Sequence, residues 1–139
     1  MANQYINVYT GSVSVGAKDG TIVSTNGDQT SPIAVILDAT QSETKYIKCA
    51  IRTEAGYKTV GNTVITLNGT NAAKWGIAID KNYTDSSASG ATYGNSITIS
   101  TELANTNTIF WLKAMSSSDE KPAHDQSVML NTTAVIIAA

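Results

Sequence analysis

The single histidine of this 139-residue chain, His124, is the side chain with the clearest catalytic potential. It lies in a polar stretch, with Asp119 and Glu120 on one side and Asp125 on the other, where carboxylates could assist a general base. Such a base also needs a nucleophile beside it and a carboxylate that orients its ring, and neighbours within a loop need not meet in space. The pattern therefore favours a solvated loop histidine, and we predict that the chain is not an enzyme.

Metal and cofactor ligands are sparse in the sequence. One cysteine and one histidine exclude zinc bound through the usual nitrogen and sulfur ligands. Asp80, Asn82 and Asp85 have a spacing similar to that of calcium-binding oxygens, but the glycine and closing glutamate of the helical calcium loop do not follow. The sequence also lacks glycine-rich phosphate-binding and dinucleotide-binding patterns. We expect neither a metal nor a cofactor.

Aromatic side chains offer a non-catalytic chemistry, the stacking of sugar rings. Tyr83 and Tyr93 fall in residues 80–95, a Ser- and Gly-rich stretch expected to be a long loop unable to pack on its own. We predict that both rings are exposed there and suited to a carbohydrate. Trp75 and Trp111 alternate with isoleucine and leucine, so core positions are expected for both.

Composition limits the other function classes. The chain has 9 basic and 11 acidic residues and no basic stripe, which argues against nucleic-acid binding. No apolar segment approaches the roughly 20 residues of a membrane-spanning helix, and residues 1–6 lack the basic and apolar regions of a signal peptide. We expect one domain over residues 1–139, with no membrane insertion and no secretory route.

The elements that must position these side chains are predicted to be strands. Two runs rich in β-branched and aromatic residues, 108–115 and 127–137, are interpreted as neighbouring central strands. An Asp19-Gly20 pair predicts a hairpin between residues 12–15 and 21–24. Further strand signals occur at residues 5–9, 33–37, 46–52, 58–60, 63–67, 73–79 and 96–100, with a corner or single helical turn at 101–105.

Two of these strands have informative faces. Residues 46–52 place Tyr46 and Ala50 on a face predicted to meet water, and Cys49 on a face predicted to be buried. Residues 73–79 place only small or polar residues opposite Trp75, so that second face is expected to be either exposed or closely covered. The strand count, without a long amphipathic helix, predicts an all-β, antiparallel β-sandwich that is immunoglobulin-like or related, with a barrel as the alternative.

Residues 1–11, residues 54–63 and the two closing runs together resemble small structural proteins encoded by tailed bacteriophages and prophages. The resemblance extends over most of the chain and includes no catalytic or binding motif. It implies a β-sandwich that decorates a virion, made in the cytoplasm of the bacterial host without a signal peptide or disulfides. Such a protein binds other subunits through loops, sheet edges and chain ends.

The function expected from this resemblance is that of a non-enzymatic virion structural protein, specifically a capsid decoration (cement) protein bound to the assembled head. The alternative is a tail or baseplate accessory module that binds cell-surface carbohydrate. The expected partners are major capsid or tail proteins, and homo-oligomerisation remains open. The candidate contact residues are Lys81, Asn82, Tyr83, Tyr93, Asp119, Glu120, Lys121 and His124.

Overall fold

β-Branched and aromatic residues at alternate positions give the described part of the chain eight strands. The structure, a computed structural model, describes residues 5–23, 44–68, 74–84, 86–115 and 129–139. The strands are β1 (Ile6–Thr10), β2 (Thr21–Val23), β3 (Thr44–Thr53), β4 (Tyr57–Asn68), β5 (Trp75–Ile79), β6 (Ser96–Ile99), β7 (Thr108–Met115) and β8 (Met129–Ala138). A short 3-10 helix, Ala88–Gly90, lies between β5 and β6.

These strands form two antiparallel sheets that pack face to face. One sheet has the order β2-β1-β3-β7-β5, and the other has the order β6-β4-β8. Their inward side chains share one core, with Ile51 and Phe110 from the larger sheet and Ile65 and Leu130 from the smaller. The predicted all-β, antiparallel β-sandwich is therefore confirmed.

The two closing runs are strands as predicted, but they are not neighbours. β7 lies between β3 and β5, whereas β8 pairs with β4 in the other sheet. The prediction of adjacent central strands is wrong because apolar content does not specify a strand's partner. β7 is covered on both faces and buries Ile109 to Leu112 in succession, while β8 exposes Val135 and Ile137 on its outer face.

The hairpin predicted around Asp19-Gly20 is also wrong, because a different strand pairs with residues 21–23. β1 pairs with β2, with Tyr9 opposite Ile22, and residues 11–20 connect them instead of contributing a strand at 12–15. Gly20 does have a positive φ of 101°, the conformation that favours glycine in turns.

The signals at 58–60 and 63–67 belong to one strand, β4, whose register against β8 shifts between Val60 and Val64. The predicted strand at 33–37 lies outside the described residues.

A second apolar layer covers the outer face of the five-stranded sheet. Tyr9, Ala50 and Trp111 are buried on this face, together with Ala88 from the 3-10 helix. The prediction that this face of residues 46–52 meets water is therefore wrong at Ala50. The cover is supplied by Tyr83, Ala88 and Tyr93, which follow β5, and by Val13 of the 11–20 connection, all of which pack in the same cluster as Ala50.

Candidate interaction surfaces

The loop that connects β5 to β6, residues 80–95, is anchored to the sheet by Asp80. Its Oδ1 accepts hydrogen bonds from the indole Nε1–H of Trp111 and from the backbone N–H of Tyr83, both at 3.0 Å. Asn82 has a left-handed φ of 62°, which asparagine adopts more readily than most residues. One carboxylate thus fixes the start of the loop and satisfies a buried indole.

Hydroxyl groups organise the middle of the same loop. The Thr84 N–H donates to Ser87 Oγ at 2.8 Å, and the N–H groups of Ser87 and Ala88 donate to the Thr84 carbonyl at 3.0 and 2.9 Å. These bonds lead into the 3-10 helix and hold Ala88 against the sheet, where it is fully buried. A stretch rich in serine and glycine is thus ordered by local bonds between backbone groups and between the backbone and a serine hydroxyl.

Tyrosine and lysine side chains form a cluster where this loop ends, on the outer face of the sheet. The Tyr93 hydroxyl donates to the Ala88 carbonyl at 2.9 Å, and the Tyr93 ring centroid lies 5.6 Å from that of Tyr46. Lys113, opposite Tyr46 across β3 and β7, places its Nζ 5.3 Å from the Tyr93 centroid. Burial raises the pKa of Tyr93 to about 12, with further contributions from Tyr46 and Tyr83. The Tyr93 phenol is therefore a protonated donor at neutral pH.

The predicted contact residues fall partly on this loop. Lys81 and Asn82 are exposed, whereas Tyr83 and Tyr93 are half-buried and pack against the outer apolar cluster. The two tyrosines therefore stabilise the loop and are less exposed than their serine- and glycine-rich surroundings predicted. The remaining candidates, Asp119, Glu120, Lys121 and His124, lie outside the described residues, as does Asp85.

A polar cluster lies at the opposite end of the same face. Arg52 Nη1 donates to Asn107 Oδ1 at 2.7 Å and to the Asp19 carbonyl at 2.8 Å, and its guanidinium carbon lies 3.6 Å from the Tyr9 ring centroid. Asn107 Nδ2 donates to Asp19 Oδ1 at 2.7 Å. The Ser14 N–H also donates to Asp19 Oδ1, and this bond is the main reason that the pKa of the carboxyl is lowered. These bonds fasten the 11–20 connection to the sheet.

The outer face of the three-stranded sheet is the second candidate surface. Val60 on β4 and Val135 on β8 are directly opposite each other and are 48% and 62% exposed. Ile137, two residues further along β8, is 41% exposed. Adjacent exposed apolar side chains on paired strands form one continuous strip, which we call the apolar strip. Lys58, opposite Ile137, pairs with Glu102 at 3.6 Å beside it.

Reactive groups are limited in the part of the chain that the structure describes. Within these residues, no three His, Cys, Asp or Glu side chains are grouped to hold a metal. Cys49 is buried, and burial raises the pKa of its thiol, so that it remains protonated and packs as an apolar side chain.

Sequence reasoning named Tyr83 and Tyr93 of the first surface but missed their neighbours Tyr46 and Lys113, and it missed the apolar strip. The small residues of β5 were the available signal for the first surface, since Gly76 and Ala78 are closely covered. For the apolar strip there was no comparable signal, because valine alternates in the same way on a covered or an uncovered sheet face.

No family model, curated protein or solved structure matches this chain. Among the helices of the described residues, none is long and apolar enough to cross a membrane. The geometry of the two outer faces is therefore the basis for assigning a function.

Proposed function

We propose that this chain is a non-enzymatic structural protein of a tailed-phage virion, and that it decorates the assembled head. The observation that supports the proposal is the apolar strip of Val60, Val135 and Ile137 on the outer face of the three-stranded sheet. Apolar side chains that remain half-exposed cost free energy in water, and a partner surface that covers them removes that cost.

The surroundings of the apolar strip also suit a protein partner. On one side of the Val60 and Val135 pair, the β4–β8 pairs on this face are Val64 with Thr133 and Thr66 with Asn131, which are uncharged. On the other side, Lys58 lies opposite Ile137 and pairs with Glu102. An apolar centre with charges confined to its rim is typical of protein interfaces.

The sheet face alone is small for a stable interface. About ten outward positions, spaced as in a β-sheet, cover a plane of roughly 300 Å². Each partner in a standard interface buries about 800 Å² of accessible surface, which is considerably more. We therefore infer that loops and chain ends share the contact with the head.

Co-sedimentation with purified heads of the phage or prophage that encodes the chain tests this proposal. The wild-type protein should sediment with heads in a fixed ratio, and Val135→Lys should abolish retention because it places a charge in the apolar strip. Val15→Lys is the matched control, since Val15 is 68% exposed but lies in the 11–20 connection. Equal retention of both variants would contradict the role of the apolar strip. Retention on purified tails and not on heads would favour the accessory-module alternative.

A further inference from the structure

Two lysines share the outer face of the five-stranded sheet beside Tyr93. Lys113 is opposite Tyr46, and Lys48 is opposite Trp111, so that the two lysines are diagonal neighbours on adjacent strands, with Cα atoms about 7–8 Å apart. Both lysine side chains are half-buried. The face therefore concentrates two positive charges at a place where solvent is partly excluded.

These charges are not neutralised within the described part of the chain. Among the described residues, no carboxylate oxygen lies within 4.0 Å, the limit for an ion pair, of the Lys48 or Lys113 ammonium group. Asp80, the acid that begins the covering loop, instead accepts hydrogen bonds through Oδ1 from Trp111 and Tyr83. Two neighbouring ammonium groups repel each other, and an anion bound between them would relieve this repulsion.

Lys113 is held in position before any ligand binds. Its Nζ lies 5.3 Å from the Tyr93 centroid, and its Cε lies 3.4 Å from the place that a Cβ on Gly76 would occupy. The lysine stem therefore runs close to the β5 backbone, where Gly76 leaves room for it. A charged group that is already oriented loses less conformational freedom on binding.

We propose that this face binds a carboxylate-bearing carbohydrate, with Lys48 and Lys113 holding the carboxylate beside the rings of Tyr46 and Tyr93. Tyrosine rings supply apolar planes for the C–H faces of a sugar. The Tyr46 and Tyr83 hydroxyls make no hydrogen bond within the described residues and are donors for sugar oxygens. The site lies on the opposite side of the sandwich from the apolar strip, and its function is separate from head decoration.

Calorimetric titration of the whole chain with tetragalacturonate tests this site. We expect binding that weakens as salt increases, and Lys48→Gln or Lys113→Gln should raise the Kd about tenfold each. Lys18→Gln is the control, because Lys18 is exposed and follows Ala17, whose carbonyl accepts from the Asn107 N–H. Lys18 is therefore far from the proposed site, because the six residues of β7 from position 107 to Lys113 span about 20 Å. The unfolding free energy of each variant is measured as well, because a variant that only loses a ligand contact keeps the wild-type stability, whereas one that loosens the loop does not.

Three results would overturn the inference. The first is the absence of tetragalacturonate binding, and the second is equal binding of its neutral methyl ester. The third is equal binding of poly-L-glutamate, which would identify the ligand as an acidic peptide from another protein. Val135→Lys should bind tetragalacturonate as the wild type does, so failure of the carbohydrate site and failure of head docking are distinguishable.

Discussion

Gly76 lies directly beneath Tyr93, so closely that a Cβ added to Gly76 would be 2.8 Å from the Cβ of Tyr93. A side chain at position 76 would therefore lift the tyrosine from the sheet. The contact is made between β5 and the end of the loop that follows it, and it explains why a glycine stands within this short, buried strand.

Gly76→Ala should consequently destabilise the protein by about 1–3 kcal/mol, the usual cost of forcing an extra methyl group into a packed region. Gly90→Ala is the control, because a Cβ at Gly90 meets nothing within 4 Å. Chemical denaturation of both variants measures the difference. If Gly76→Ala and Gly90→Ala unfold at the same denaturant concentration, the close contact with Tyr93 has no energetic role.

Thr63 and Thr59 form a second matched pair, since both are buried on the inward face of β4. Thr63 Oγ1 has no hydrogen-bond partner among the described residues, whereas Thr59 Oγ1 accepts from the Leu103 N–H at 2.8 Å. Thr63→Val should therefore stabilise the protein by about 1 kcal/mol, and Thr59→Val should destabilise it by about 1–3 kcal/mol. Thermal and chemical unfolding should give opposite signs, and a destabilised Thr63→Val would argue against an unsatisfied hydroxyl.

Arg52→Met tests the polar cluster, because it keeps an unbranched stem but removes both hydrogen bonds and the charge over Tyr9. The buried Asn107 Oδ1 then loses the donor that lies 2.7 Å away, and we expect a loss of about 2–4 kcal/mol. Lys58→Met breaks only the exposed 3.6 Å pair with Glu102 and should cost about 1 kcal/mol or less. Comparable unfolding free energies for the two variants would contradict a structural role for Arg52.

The raised pKa of Tyr93, about 12 against an ordinary value of 10.0, predicts a loss of stability in alkali. Between these two pH values the unfolded chain has released a phenolic proton that the folded chain retains, so the free energy of unfolding falls as pH rises. Below pH 10 the contribution is constant. Tyr93→Phe should reduce this alkaline slope, as measured by denaturation at a series of pH values. An unchanged slope would show that another group is responsible.

The strands themselves were largely predictable from local pattern. The run at 108–115 coincides with β7, and the alternation at 46–52 lies within β3, because strand formation follows side-chain periodicity over a few residues. Strand partners were not predictable, since β7 and β8 have similar composition but lie in different sheets. Pairing is decided by contacts between residues that are distant in sequence.

The outer cluster was less predictable than the core. Residues 80–95 are polar on average, yet Tyr83, Ala88 and Tyr93 supply the few apolar contacts that hold the loop on the sheet. A composition-based interpretation averages over these residues and predicts exposure. The anchor, Asp80, is equally ambiguous in sequence, because its acceptor role depends on Trp111, 31 residues later.

The burial of Trp111 on the loop side of the sheet makes it an intrinsic fluorescent probe of the loop. Its indole donates to Asp80 at the root of the loop, while the half-buried Trp75 packs against the core between the sheets. Detachment of the loop would shift the emission of one fluorophore and leave the other nearly unchanged. Lifting of this cover and melting of the whole sandwich thus have separate spectral signatures within one unlabelled chain.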